Sequence, residues 1–468
     1  MGRKLTLKDY IVYGSGSTGD STSYVLINLF LMFFLTTVAG IRPAAAGVIT
    51  AVGAVWNSLF NPIIGYAADH LETRHGKRRP LIAAFSIPLC FMIFLLFTDV
   101  PFSASVKPLW YAFILMLFWT SYTGYFVPYT ALGVDYTTDY QDRVTLRLSA
   151  SFFNMLGNIV SIVCPTLLVQ FFRGTGLSLG QSWSRTALVI GIIAAFTILV
   201  TALFSGEADP PCPKTRILPR AEEDMETAPP LLISIFREYL SVLRLRPTRR
   251  LALVSVLSLI CYSFVMNDMV YMMTYNLNFS SEKISFCLVV RTLFGLLFIP
   301  LIGAMTRKID KTWTAIVCFA AAFAGMVLLR ITGISGSGPS LWIYILINSI
   351  STCSYWSIIP SMYYDICDYD FLVTGKRRES TVVSLQGLIE AISGGIGSLL
   401  LGLILQAAGF NGSAKVQSAL AMKWILNCTT VIPVIFLLLA AVVMHFYPLT
   451  RKAHEDVLRQ IIIKEKEK

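Results

Sequence analysis

Residues 56–80, WNSLFNPIIGYAADHLETRHGKRRP, decide the fold. Asn57 and Asn61 lie four positions apart, so a helix puts both on one face, inside an otherwise apolar run. Pro62 and Gly65 follow, and Asp69 stands where the run ends. A basic cluster then closes the stretch: Arg74, Lys77, Arg78 and Arg79. An apolar helix with amides in it, ended by cations, reads as a membrane span that carries a polar pathway and stops in the cytoplasm. The pattern returns far down the chain. Ile299-Pro300-Leu301-Ile302-Gly303 with Arg307, Lys308 and Lys311 echoes Asn61-Pro62-Ile63-Ile64-Gly65 and its basic tail. Two copies of one helix-and-loop signature imply two similar halves.

Composition agrees. The 468 residues are 55% hydrophobic and 14% charged, with a mean hydropathy of +0.66. A soluble chain carries about 25% charged residues. The net charge of +11 is therefore read as topology, not as a nucleic-acid surface. The nine cysteines are scattered, mostly within apolar runs, without CxxC or Cys/His grouping, which suits small buried hydrophobes. Neither HExxH nor GxSxG occurs, and no histidine falls in mid-span, so neither an enzyme centre nor a metal site is expected.

A bilayer takes about 20 apolar residues per helix. Runs of that kind number twelve: 10–38, 44–69, 80–99, 107–134, 144–172, 184–205, 249–277, 284–305, 312–332, 340–366, 380–407 and 420–447. With the N-terminus inside, the inner segments hold 29 Lys and Arg and the outer ones 8, which places both termini in the cytoplasm. The expected architecture is an all-α membrane protein with two pseudo-symmetric bundles, residues 1–205 and 249–447. A Pro-rich charged linker with an amphipathic helix (206–248) joins them, and a tail (448–468) follows.

An ionisable group in the hydrocarbon region costs several kcal/mol, so each is a candidate for function. Asp20 lies about 15 Å into the first span. Asp268 follows Asn267 in the seventh, Arg291 lies in the eighth and Glu390 in the eleventh. Three acids against one base suit a bound cation or a proton. A satisfied ion pair of Arg291 with Asp268 or Glu390 is the competing reading. Tyr24, Trp56, Trp119, Tyr122, Tyr125, Asn154, Asn158, Tyr355, Trp356 and Gln386 supply aromatic faces and amides for a polar solute, although such residues also serve as core or interfacial belt.

The chain resembles the glycoside–pentoside–hexuronide:cation symporters, the melibiose-permease branch of the major facilitator superfamily. Four strings carry the resemblance. The first two are Tyr13-Gly14 with Asp20, and Asn61-Pro62-Ile63-Ile64-Gly65-Tyr66 running through Asp69 to Gly76-Lys77-Arg78-Arg79-Pro80. The third is Val127-Pro128-Tyr129-Thr130-Ala131-Leu132 before Asp142-Arg143. The fourth is Asp365-Ile366-Cys367-Asp368-Tyr369-Asp370 leading into Thr374-Gly375-Lys376-Arg377-Arg378-Glu379. The resemblance implies two six-helix bundles around a cavity, sugar transport coupled to H⁺, Na⁺ or Li⁺, and charged inner loops that act as gates. The gate candidates are Asp69, Arg78, Arg143, Asp365, Asp368 and Arg377.

The departures from the family pattern sharpen the expectation. Asn57 and Asn61 replace the two carboxylates of the family's cation site. Phe126 replaces the sugar-site carboxylate of helix 4, Ser151 the arginine of helix 5, and Ala391 a lysine, with Glu390 beside it. Hard cations bind best where several oxygens include charged ones, so H⁺ coupling through Asp20 and Glu390 is favoured over Na⁺, with Asn57 and Asn61 lining an altered cation site. The solute site is expected at Asp20, Tyr24, Trp119, Tyr122, Phe126, Asn154, Tyr355, Trp356 and Gln386. The expected protein is a monomeric, multi-pass transporter of the cell membrane for a glycoside or related small solute, without cofactor. A lysolipid carrier of the same fold and a membrane sensor that does not transport are the alternatives.

Overall fold

The computed structural model describes residues 5–70, 78–135, 140–205, 231–336, 338–375, 378–412, 414 and 416–466. Fourteen helices occupy them: α1 (Leu7–Phe33), α2 (Pro43–His70), α3 (Arg79–Leu96), α4 (Val106–Asp135), α5 (Tyr140–Gly174), α6 (Leu179–Phe204), α7 (Leu231–Leu243), α8 (Arg246–Tyr271), α9 (Ser281–Lys308), α10 (Lys311–Thr332), α11 (Pro339–Thr374), α12 (Glu379–Ala407), α13 (Ala419–His445) and α14 (Arg451–Lys466). No strand occurs among the described residues. Among the described residues, ten helices are long and apolar enough to cross a bilayer. Of the twelve expected runs, α4 and α11 fall outside that set. They have 30 and 36 residues, ample length, but Tyr, Trp, Ser and Thr dilute their hydropathy. Both stand fourth among the long helices of their half.

The repeat seen in the sequence extends to backbone detail. α1 ends in a π-helical turn at Phe34–Val38 and α8 in another at Met272–Asn276. Phe34, Pro43, Pro62 and His70 are matched by Met272, Ser281, Pro300 and Lys308, each 238 positions later. The two prolines stand the same distance from the ends of α2 and α9, where each removes one backbone donor.

The chain divides into two compact units. The first is Met1–Leu218 with Met273–Val289 and Ser398–Ala421; the second is Pro219–Met272, Val290–Gly397 and Met422–Lys468. In the first, α1 packs on α5 and α6, α3 on α4 and α6, and α2 on α4. Small residues let these helices approach: a Cβ on Gly157 of α5 would lie 2.6 Å from the Thr18 carbonyl of α1. In the second, α11 packs on α8, α10 and α14, and Ser263 of α8 donates to the Gly394 carbonyl of α12 at 3.0 Å. On α7, Val242 is buried while Phe236 and Leu240 are exposed. Eight of the nine cysteines are described, and all eight are free thiols.

Candidate functional site

The first unit gathers its polar side chains around Asp20. The Tyr122 hydroxyl of α4 donates to Asp20 Oδ1 at 2.5 Å. The Asn154 amide of α5 donates to Oδ2 at 3.3 Å, and Asn158 donates to Asn154 at 3.2 Å. Asp20 as a residue remains partly exposed. Aromatic rings cluster beside it. Tyr122 stacks on Phe126 at 5.4 Å, and Tyr24 meets the edge of Trp119 at 6.0 Å. Spacings of three and four put Trp119, Tyr122 and Phe126 on one face of α4. Two further rings of α4 hold α1 in place: Tyr125 donates to the Gly16 carbonyl at 2.6 Å, and the Tyr129 hydroxyl lies 2.7 Å from Ser17 Oγ.

Asn57 lies beside this arrangement. Its side-chain oxygen accepts from Thr123, the neighbour of Tyr122, at 2.8 Å. Trp56 donates to Thr120 at 2.9 Å. Asn61 follows one turn on, half-buried. α2 therefore presents two amides, each with a carbonyl oxygen and neither with a charge. The helix 5 position Ser151 bonds back to its own helix at the Arg147 carbonyl.

The second unit holds a smaller polar group. Gln386 donates to Glu390 Oε1 at 2.8 Å. The Tyr355 hydroxyl is buried within electrostatic reach of Glu390. Trp356, which is 42% exposed, meets Tyr355 edge-on at 5.3 Å and Tyr262 at 6.3 Å. Here too an acid, an amide and aromatic rings converge.

Asp268 and Arg291 have separate partners. Asp268 accepts from the Thr429 hydroxyl of α13. Arg291 donates to Thr352 at 3.2 Å. Both are buried, and no ion pair joins them.

The gate candidates are resolved in part. Asp365 pairs with Lys311 at 2.7 Å and Asp368 with His454 at 2.9 Å. Arg78 precedes α3, half-buried. Arg377 and the side chains of Asp69 and Arg143 lie outside the described residues. One pair was not anticipated: Arg378 grips Asp370 through Nε at 3.0 Å and Nη2 at 2.5 Å. The hydrogen bonds to Asp370 push the guanidinium above its usual value. The signal lay in the sequence. Gly375, at φ +68°, ends α11 in the left-handed conformation and turns the chain back, which brings residues eight apart together. His454 and Lys311 gave no such signal, because their partners are 86 and 54 positions away. Lys311, Asp365 and His454 line a cavity of about 430 Å³ together with Met362 and Arg451.

Repeated helical halves, with acids, amides and aromatic faces inside membrane-length helices, define a solute transporter of the membrane rather than an enzyme. The chain belongs to the MFS/sugar transport protein family, whose sequence profile matches residues 12–451, and is a multi-pass protein of the cell membrane. The isoprimeverose transporter of Lactiplantibacillus pentosus is 25% identical over 437 residues, covering 93% of this chain and 87% of that one. The sodium-dependent lysophosphatidylcholine symporter 1-A of Danio rerio is 29% identical over 159 residues, which are 34% of this chain and 30% of that one. Among solved structures, a bacterial homologue of the human lysosomal transporter Spinster, inward-facing and unoccupied, matches with a TM-score of 0.66 at 15% identity over 98% of this chain and 99% of that one.

Proposed function

We propose that this protein is a symporter for a glycoside or a related small sugar-like solute, driven by H⁺ rather than Na⁺ and working by alternating access as a monomer. α4 and α11 complete twelve spans, with both termini in the cytoplasm. One observation carries the reading. Asp20 is held by Tyr122 and Asn154 yet stays partly exposed between aromatic rings. A carboxylate oriented by neutral donors keeps lone pairs for ligand hydroxyls, and ring faces pack on the C–H surface of a sugar. Glu390 with Gln386, Tyr355 and Trp356 supplies a second surface of the same kind. The likeness to an isoprimeverose transporter over most of both chains supports this solute class. On α2, Asn57 and Asn61 offer oxygens without charge, which disfavours Na⁺ there. No cofactor enters the cycle. Asp365, Asp368 and their basic partners serve as the inner gate, with Asp69, Arg78, Arg143 and Arg377.

The stretch similar to a lysophosphatidylcholine symporter supports a second reading, an amphiphile carrier. Uptake by proteoliposomes separates the two. We expect isoprimeverose or another labelled glycoside to enter and to compete with its relatives. Uptake of lysophosphatidylcholine, with no glycoside transported, would overturn the sugar reading.

A further inference from the structure

We propose that Asp268, enclosed in the second unit against Thr429, is the proton-binding group of the transport cycle. The inference rests on the reading of the chain as a proton-coupled symporter and names the group that does the coupling. Asp268 is 0% exposed. One carboxyl oxygen meets Thr429, and the other, Oδ1, has no hydrogen-bond partner. No cation stands within ion-pair distance of it among the described residues. The titratable groups that feel its charge are Tyr344 on α11 and Cys428 on α13. Cys261 on α8 and Arg291 on α9 share the Tyr344 neighbourhood, and the Arg291 guanidinium is engaged by Thr352. A carboxylate alone in such a place costs several kcal/mol, and one proton removes that cost. A hard metal cation would need several more oxygens than Asp268 and Thr429 offer.

The Thr429 hydroxyl suits both states of the acid. It reaches Asp268 Oδ2 and, at 3.2 Å, the Ile425 carbonyl one turn back. With Asp268 ionised, the threonine hydrogen points to the carboxylate. With Asp268 protonated, the acid donates to Thr429 Oγ1 and the threonine hydrogen turns to Ile425. Either way every hydrogen is used, so the group can load and release a proton without stranding a donor. The step is a single protonation: the carboxylate takes one proton from water on one side of the membrane, and the O–H bond breaks when the proton returns to water on the other.

The backbone supplies a place for that release. α8 changes from α to π geometry just after Asp268, and the Met272 N–H is shared between the carbonyls of Asp268 and Met269. π-turns inside helices concentrate at functional sites. The chain also leaves the second compact unit at Met272 and enters the first at Met273.

The test compares purified wild type with Asp268→Asn and Thr429→Val. Infrared spectra need no solute. Wild type at neutral pH is expected to show a protonated-carboxyl stretching band that Asp268→Asn lacks. Thr429→Val should keep the band to a pH about one unit higher, because the donor that stabilises the carboxylate is gone. In proteoliposomes with isoprimeverose as probe, Asp268→Asn should lose accumulation driven by a pH gradient while still exchanging labelled for unlabelled solute. Coincident carboxyl bands in wild type and Asp268→Asn, or accumulation by the variant at the wild-type level, would overturn the proposal. If wild type moves no isoprimeverose, the infrared spectra still decide on the proton, and the failure falls on the solute reading instead.

Discussion

α1, its π-turn and α2 form one copy of a backbone unit; α8, its π-turn and α9 form the other, in register at an offset of 238 residues. The acids do not follow that register. The position equivalent to Asp20 is Ser258, and the position equivalent to Asp268 is Phe30. Asp20 is partly exposed, bound by a phenol and an amide, and walled by rings. Asp268 is closed off behind a single threonine. The same residue type on corresponding helices thus meets opposite environments. Repeats share backbone geometry because the lipid requires regular helices with internal hydrogen bonds, whereas chemistry is set position by position. In this account the main solute acid is in the first half, while the second half adds a smaller solute surface and holds the proton.

The comparison breaks most readily at Asp20. Asp20→Ala removes the acceptor of solute hydroxyls and strands Tyr122 and Asn154. Hydrogen bonds to a charged group contribute about 1.5–3 kcal/mol each, so labelled-glycoside uptake should fall about 100-fold, while the carboxyl band of Asp268 persists in the infrared. Loss of that band in Asp20→Ala would show that the two acids are not independent. Glu390→Gln comes next. It keeps shape and loses charge, and uptake should drop about tenfold through a higher KM. A change confined to pH-gradient coupling would assign Glu390 to the proton instead. Tyr122→Phe removes one donor that orients the Asp20 carboxylate, a bond of about 1.5–3 kcal/mol of which the solute feels only a part. A rise of about fivefold in KM is expected, and a value unchanged within error would place the solute elsewhere. Asp370→Asn is the smallest for transport. It leaves Arg378 with a weakened partner at the end of α11, so the melting temperature should fall by a few degrees with KM unaltered. A shift in KM would mean that this pair takes part in the solute pathway.

Much of the fold was legible in the chain. Asn61-Pro62-Ile63-Ile64-Gly65 and Ile299-Pro300-Leu301-Ile302-Gly303 revealed the repeat, because proline position and helix ends are local properties. The membrane class followed from composition alone. α4 and α11 were found as helices by run length even though Tyr, Trp, Ser and Thr dilute their hydropathy. The partners of the acids were not legible. Tyr122 lies 102 residues from Asp20, and Thr429 lies 161 from Asp268. Such pairs depend on helix packing, which no short-range pattern encodes. The Asp268–Arg291 pairing was plausible from charge alone, but two side chains on neighbouring helices can point to different third helices, and here they do: Thr429 is on α13 and Thr352 on α11. The π-turns left no sequence mark beyond their place in the repeat.

The division of labour between the halves is tested most directly by recording proton movement evoked by the solute. Proteoliposomes in weak buffer, with no imposed gradient, receive a pulse of isoprimeverose while the external pH is followed. The account predicts that wild type alkalinises the medium as the solute enters and that Asp268→Asn admits solute with no pH change. Solute entry in wild type with no proton movement, and with a requirement for Na⁺, would contradict it.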